Sequence, residues 1–177
     1  MAKPLDLPFD PIERAGEIWE RTWGSASAMR VATSVMRVQQ ILIARYDEVL
    51  RRHGLTFARY EALVLLHFSR SGALPLKVIG SRLMVHPTSV TNAVTRLAAA
   101  GLVERLPNPQ DRRGALASIT DRGREVAEAA TKDLMDIDFG LGVLDEDTRA
   151  ATFTALRSVR AEVGDFQEKP PSETVAG

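Results

Sequence analysis

The residues from Leu76 to Thr120 constrain the fold most. They run PLKVIGSRLMV, then HPTSVTNAVTRLAAAGLVERL, then PNPQDRRGALASIT. The spacing predicts a short helix from Lys77 to Met84, a tight turn, and a second helix from about Pro87 to Ala100. Pro stands near the start of that helix and Gly101 ends it. Two strands follow, Leu102 to Leu106 and Ala115 to Thr120, joined by a loop rich in Pro, Asn, Asp and Gly. The second helix segregates its residues: Val90, Ala93, Val94 and Leu97 form an apolar face, and Thr88, Ser89, Thr91, Asn92, Thr95 and Arg96 a polar one.

A helix that buries one side and offers small hydrogen-bonding groups on the other suits a DNA major groove. The hairpin tip, with Asp111, Arg112, Arg113 and the permissive Gly114, suits a minor groove or a row of phosphates. Together these features spell a winged helix-turn-helix. Asn and Arg can read base edges in bidentate fashion, whereas Thr and Ser more often fix register on phosphate.

The chain's formal net charge of zero hides a polarity. Residues 80–124 carry seven basic against three acidic side chains, a net of +4, while residues 125–177 carry five against twelve, a net of −7. Local charge governs phosphate binding, so the sum does not argue against a nucleic-acid partner.

On either side, helical spacing continues. Asp10-Pro11 opens an N-terminal helix carrying Ile12, Ala15, Trp19 and Trp23 on one face, and this arm is expected to dock. Val31, Val35, Val38, Leu42, Tyr46 and Val49 recur at threes and fours in a long helix from Met29 to Arg52, which Gly54 ends. A stripe of that length suits a dimer scaffold, or burial within one subunit. Thr56 is placed to cap a helix from Phe57 to about Ser69, and Leu74 to Leu76 to form a third strand. Thr120 and Asp145 are placed to cap two further helices, the second carrying Phe153, Leu156, Val159 and Val163. The first eight residues and the tail from Gln167 read as disordered.

The fold class is therefore mainly α with a small antiparallel β-wing. A winged helix-turn-helix domain at 55–120 is flanked by an N-terminal arm and dimerisation helix at 1–54. C-terminal dimerisation helices follow at 121–166, and a tail at 167–177. Cysteine is absent, which removes disulfides, thiolate metal sites and thiol redox sensing. His53, His67 and His86 lack metal-like spacing, so no metal site is expected. No catalytic motif, cofactor loop, signal peptide or membrane-length apolar run is found. A non-enzymatic, cytoplasmic protein without a cofactor is expected.

The segments LTFARYEALVLL, TSVTNAVTRLAAAGLVERLPNPQDRRG and SIT followed by DRGRE resemble the MarR family of bacterial transcriptional regulators. So does the Asp111-x-Arg113 wing, followed by Ile119-Thr120. The resemblance runs from Met29 to Val163. It implies a homodimer on a near-palindromic double-stranded DNA operator, with the second helix of the motif as recognition helix. It also implies Arg113 in the minor groove, Asp111 bracing the wing, and repression released by a small ligand where dimerisation helices meet the winged domain. The arm with Trp19 and Trp23 resembles that of the family's urate-responsive branch, which implies a site of Trp19 or Trp23, Glu61 and Arg105. Ala93 stands where that branch has a second arginine. The resemblance therefore points to a different small anion or a neutral aromatic effector.

Overall fold

A computed structural model describes residues 6–109, 111 and 114–167. The first helix, α1 (Pro11–Trp23), begins at Asp10, whose carboxylate accepts the backbone N–H groups of Ile12 and Glu13. Helix α2 (Ser27–Leu50) starts two residues before the expected Met29. It tightens into a 3-10 turn (Arg51–His53), which Gly54 stops at φ 70°. Its apolar stripe changes character along its length. Val31, Val35 and Val38 are exposed, Leu42 and Val49 are half-buried, and Tyr46 and Leu50 are in the core.

Helix α3 (Phe57–His67) departs from the expected cap. The Thr56 hydroxyl does not bond the helix N-terminus; it accepts from Arg59 Nε at 3.1 Å. The free N–H of Phe57 is taken instead by the Asp47 carboxylate of α2 at 2.6 Å. A charged acceptor at a helix N-terminus is favoured by the dipole as well as by the hydrogen bond. This long-range partner replaces the local one and ties α3 to α2.

Strand β1 (Ala73–Pro75) runs directly into α4 (Leu76–Leu83), and α5 (Pro87–Ala99) follows after a tight turn. Strands β2 (Val103–Pro107) and β3 (Ala115–Ile119) make the hairpin. The antiparallel sheet has the order β1-β3-β2, with Leu74 opposite Ala117 and Arg105 opposite the same residue from the other side. The third strand expected from Leu74-Pro75-Leu76 is thus present, one residue earlier. Helix α6 (Asp121–Asp136) is capped by Thr120, whose hydroxyl accepts the Gly123 N–H at 3.0 Å.

The core gathers Tyr46, Leu50, Leu63, Leu66, Ile79, Val94, Leu97, Ala117 and Leu134, from α2 to α6. Tyr46 completes it by donating its hydroxyl to the Phe139 carbonyl at 2.7 Å, so its one polar atom is satisfied. These elements form one unit through Gly140. A second unit begins at Leu141 and holds α7 (Glu146–Glu162), whose Asp145 cap accepts from the Thr148 N–H at 2.8 Å. Along α7, Phe153, Leu156 and Val159 are all exposed. None of the helices among the described residues is long and apolar enough to cross a membrane.

Candidate nucleic-acid interface

Helix α5 is held by its apolar face. Val90, Val94 and Leu97 are each at most 3% exposed, and they lie about 100° apart per residue on the side turned to the core. The opposite arc presents Thr88, Ser89, Asn92, Thr95 and Arg96 to solvent, as the residue spacing predicts. Thr91 and Ala93 differ: both are half-buried, at the edges of the polar arc. The Thr91 hydroxyl donates to the Pro87 carbonyl at 3.0 Å, which occupies its only hydrogen inside the helix.

The start of α5 is set by two unusual choices. Met84 closes α4 in the left-handed region (φ 52°, ψ 39°), where a non-glycine residue costs about 1 kcal/mol or more. His86 occupies the cap position, where Ser, Thr, Asp or Asn is usual, and its Nδ1 accepts the Thr88 N–H at 3.3 Å. Sequence spacing located this turn but not the histidine cap, which no propensity scale favours.

The hairpin is rooted in the same unit. Asp111 is exposed; its N–H donates to the Asn108 carbonyl at 3.2 Å, and its carbonyl accepts the Gly114 N–H at 2.9 Å. Those bonds close the loop from within. Arg112 and Arg113 lie outside the described residues. At the hairpin's other end, Thr120 donates its N–H to the Leu102 carbonyl at 3.1 Å and its hydroxyl to the Gly101 carbonyl at 2.9 Å. The end of α5, the root of the hairpin and the start of α6 thus meet at one threonine.

Trp19 is half-buried and Trp23 is 71% exposed, their rings edge to face at 4.7 Å on α1. The arm is fixed to α2 elsewhere. Arg30 of α2 pairs with Glu20 at 2.5 Å and Glu13 at 3.0 Å, beside the buried Gly16. The docking expected of the arm therefore occurs, through ions and a glycine, and leaves Trp23 outside it. Glu61 is half-buried on α3, and burial pushes its carboxyl above the ordinary value. Among the described residues no ion pair joins Glu61 to the exposed Arg105 of β2.

A cavity of about 290 Å³ opens between α3 and α6. Val64, Phe68, Ala127 and Met135 supply apolar wall, and His67, Glu128 and Lys132 supply polar atoms. The His67 Nδ1 is buried without a hydrogen-bond partner. Nothing in residue spacing marked this cavity, because it arises from two helices distant in sequence. Nearby, Tyr60 donates to the Thr131 hydroxyl at 3.0 Å, since the Thr131 hydrogen is already given to Ala127. His53 holds Asp133 at 2.5 Å and Arg52 also contacts it, keeping that carboxyl below its ordinary value.

Residues 53–114, which contain the whole interface up to the wing, match the sequence profile of the MarR family. The solved structure of Sco5413, a MarR family transcriptional regulator from Streptomyces coelicolor, is 58% identical. The match covers 80% of this chain and 98% of that one, with a TM-score of 0.75. Sco3205, a MarR family regulator from the same organism solved in complex with DNA, is 25% identical, covering 86% and 97%, with a TM-score of 0.71. The HTH-type transcriptional regulator TtmR of Methylorubrum extorquens (strain PA1) is 33% identical over 118 residues, 67% of this chain. The chain spans 59% of the length of that protein. A polar recognition face on a buried helix, a wing sharing its sheet, and these likenesses agree: the chain belongs to the MarR family of winged helix-turn-helix transcriptional regulators.

Proposed function

We propose that the protein is a homodimeric repressor that binds a near-palindromic operator in double-stranded DNA and is released by a small-molecule ligand, without catalysis. The observation that carries this reading is α5: it is buried on Val90, Val94 and Leu97 and exposes Thr88, Ser89, Asn92, Thr95 and Arg96 beside the wing. Asn92 and Arg96 take base edges, Thr88, Ser89 and Thr95 hold register on phosphate, Arg113 reaches a minor groove beside a bracing Asp111, and Arg112 sits on phosphate.

The dimer rests on uncovered apolar stripes. Val31, Val35 and Val38 continue the line of buried Tyr46 and Leu50 on α2, yet stand 42–63% exposed. On and just after α7, Phe153, Leu156, Val159 and Val163 stand 40–75% exposed. Residues 1–54 and 121–166 thereby serve as dimerisation segments around the winged domain at 55–120, ahead of the tail at 167–177. Two recognition helices about 34 Å apart then meet successive turns of one duplex face.

The effector reading is supported by the α3–α6 cavity, with its apolar wall and the polar side chains of His67, Glu128 and Lys132. A ligand seated there weakens DNA binding by its differential affinity for a conformer with the wrong helix spacing. Trp19, Trp23, Glu61 and Arg105 enter as effector contacts on resemblance alone, and none of them lines this cavity.

The test is selection of bound sequences from random duplex DNA by the purified protein, then titration of the selected site at two salt concentrations. One dimer per near-palindromic site, with affinity falling steeply as salt rises, is expected. Absence of any enriched sequence and of salt-dependent binding would overturn the proposal.

A further inference from the structure

The turn between α4 and α5 opens onto a groove of about 600 Å³, lined by Leu76, Lys77, Gly80, Ser81, Met84 and Val85, with Pro87 and Thr91 at the recognition-helix side. Its wall is apolar, but two donors line the same groove: the Lys77 ammonium and the Ser81 hydroxyl, the latter now bonded to the Val78 carbonyl at 3.1 Å. Met84 is 79% exposed, the highest value among the methionines described. Its backbone sits in the left-handed region with its N–H on the Gly80 carbonyl, and the Val85 N–H shares that carbonyl at 3.1 Å. The chain has no cysteine, so thioethers are its only sulfur.

We propose that Met84 is an oxidation site through which a hypohalous acid weakens DNA binding. This goes beyond the reading of the protein as a repressor and rests on it for the DNA readout. The accessible thioether attacks the chlorine of hypochlorous acid, so that an S–Cl bond forms as the O–Cl bond breaks and hydroxide leaves. Water then bonds to the sulfur as the S–Cl bond breaks and chloride leaves; one of its protons neutralises the hydroxide and the other passes to solvent, leaving the sulfoxide. Sulfur is oxidised by two electrons and chlorine is reduced by two.

The product is polar where the reactant was apolar. The new oxygen is a strong hydrogen-bond acceptor beside the apolar wall of Leu76, Val85 and Pro87, and the donors lining the same groove are Lys77 and Ser81. Engaging them draws the Met84 side chain towards α4, away from the Pro87 end of the recognition helix. Met84 is one residue from the His86 cap's neighbour Val85, so this movement reaches the first turn of α5, where Thr88 and Ser89 stand. Shifts of about 1 Å at such a contact surface are enough to break hydrogen-bond geometry.

The experiment treats the intact protein with stoichiometric hypochlorous acid and follows three readouts: peptide mass, affinity for the selected DNA, and amide exchange from Val85 to Thr91. Expected are early addition of one oxygen at Met84, an affinity loss of tenfold or more, and faster exchange in that segment. Methionine sulfoxide reductase is expected to reverse all three. Met84→Leu, whose midpoint of thermal unfolding serves as the folding check, is expected to resist the oxidant. Met84→Gln, which mimics the sulfoxide, is expected to bind weakly without it. Equal affinity loss in Met84→Leu, or a fully oxidised Met84 with unchanged affinity and exchange, would overturn the proposal. If the unoxidised protein selects no DNA, the repressor reading fails by itself, and the exchange comparison still decides whether oxidation remodels the turn.

Discussion

Gly123 is the position where the winged domain and the helix that follows it have no slack. Its N–H donates to the Thr120 hydroxyl, and its backbone is pressed against Leu102, the residue before β2, and Ile119 at the end of β3. An alanine Cβ there would enter the van der Waals shell of the Leu102 carbonyl oxygen. It would also lie 2.8 Å from Ile119 Cγ1 and 3.1 Å from the Leu102 carbonyl carbon, where ordinary contact begins near 3.4 Å. Two of those atoms are backbone, so rotamer changes cannot relieve the overlap. The first turn of α6 must retreat by on the order of 1 Å, an overpacking cost of about 1–3 kcal/mol. Retreat also stretches three hydrogen bonds through Thr120, to Leu102, Gly101 and Gly123, each contributing about 1 kcal/mol. The gain of roughly 1 kcal/mol from alanine in a helix offsets part of this. The net expectation for Gly123→Ala is a loss of about 3–5 kcal/mol, or a fall of roughly 6–20 °C in the midpoint of thermal unfolding for a chain of this size. Differential scanning calorimetry reads it directly. An unchanged or raised midpoint would refute the reasoning, because it would mean that the close approach of α6 to the Leu102 backbone does not exist in solution.

Asn92→Ala is expected to lower affinity for the selected site by about ten- to a hundredfold while leaving affinity for unrelated DNA within twofold, as for a bidentate base contact; equal losses on both in fluorescence anisotropy would assign Asn92 to phosphate. The double variant Val35→Glu, Val38→Glu is expected to sediment as a monomer at micromolar concentration, and a persistent dimer would remove α2 from the interface. Glu61 has a folded value raised above its unfolded one by burial. Its contribution is therefore favourable below the unfolded value and is lost as pH rises through the folded one. Glu61→Gln should accordingly raise the midpoint by about 1–3 °C at pH 8 and leave it unchanged at pH 4. A gain of the same size at both values would mean that ionisation is not the cause.

What was legible in the sequence was local. Period-3.6 patterning placed α5, and capping residues at Asp10, Thr120 and Asp145 marked helix starts that the structure keeps to within a residue or two. Thr56 shows where this stops. A cap-type residue stood at the right place, but Asp47, ten residues from Phe57, took the bond, and a charged acceptor outcompetes a hydroxyl. The α2 stripe was visible as a stripe, yet its division into a buried half and an exposed half depends on where α3 and α6 end, which periodicity does not carry. The same holds for the α3–α6 cavity and for the lack, among the described residues, of an ion pair between Glu61 and Arg105. Both are products of packing between segments far apart in the chain. The polar face of α5 was legible almost in full, because helix geometry alone decides which of its residues oppose Val90, Val94 and Leu97.

Strand β3 lies between β2 of the hairpin and β1, and β1 passes without a linker into α4. The reading head and the wing are therefore parts of one hydrogen-bonded frame rather than two probes on separate mounts. If α5 and the wing both contact DNA, as proposed, their spacing within a protomer is set by this frame rather than by a linker. Were a dimer to bind two half-sites, tolerance to altered operators would then reside between the half-sites, where two such frames can be set closer or further apart.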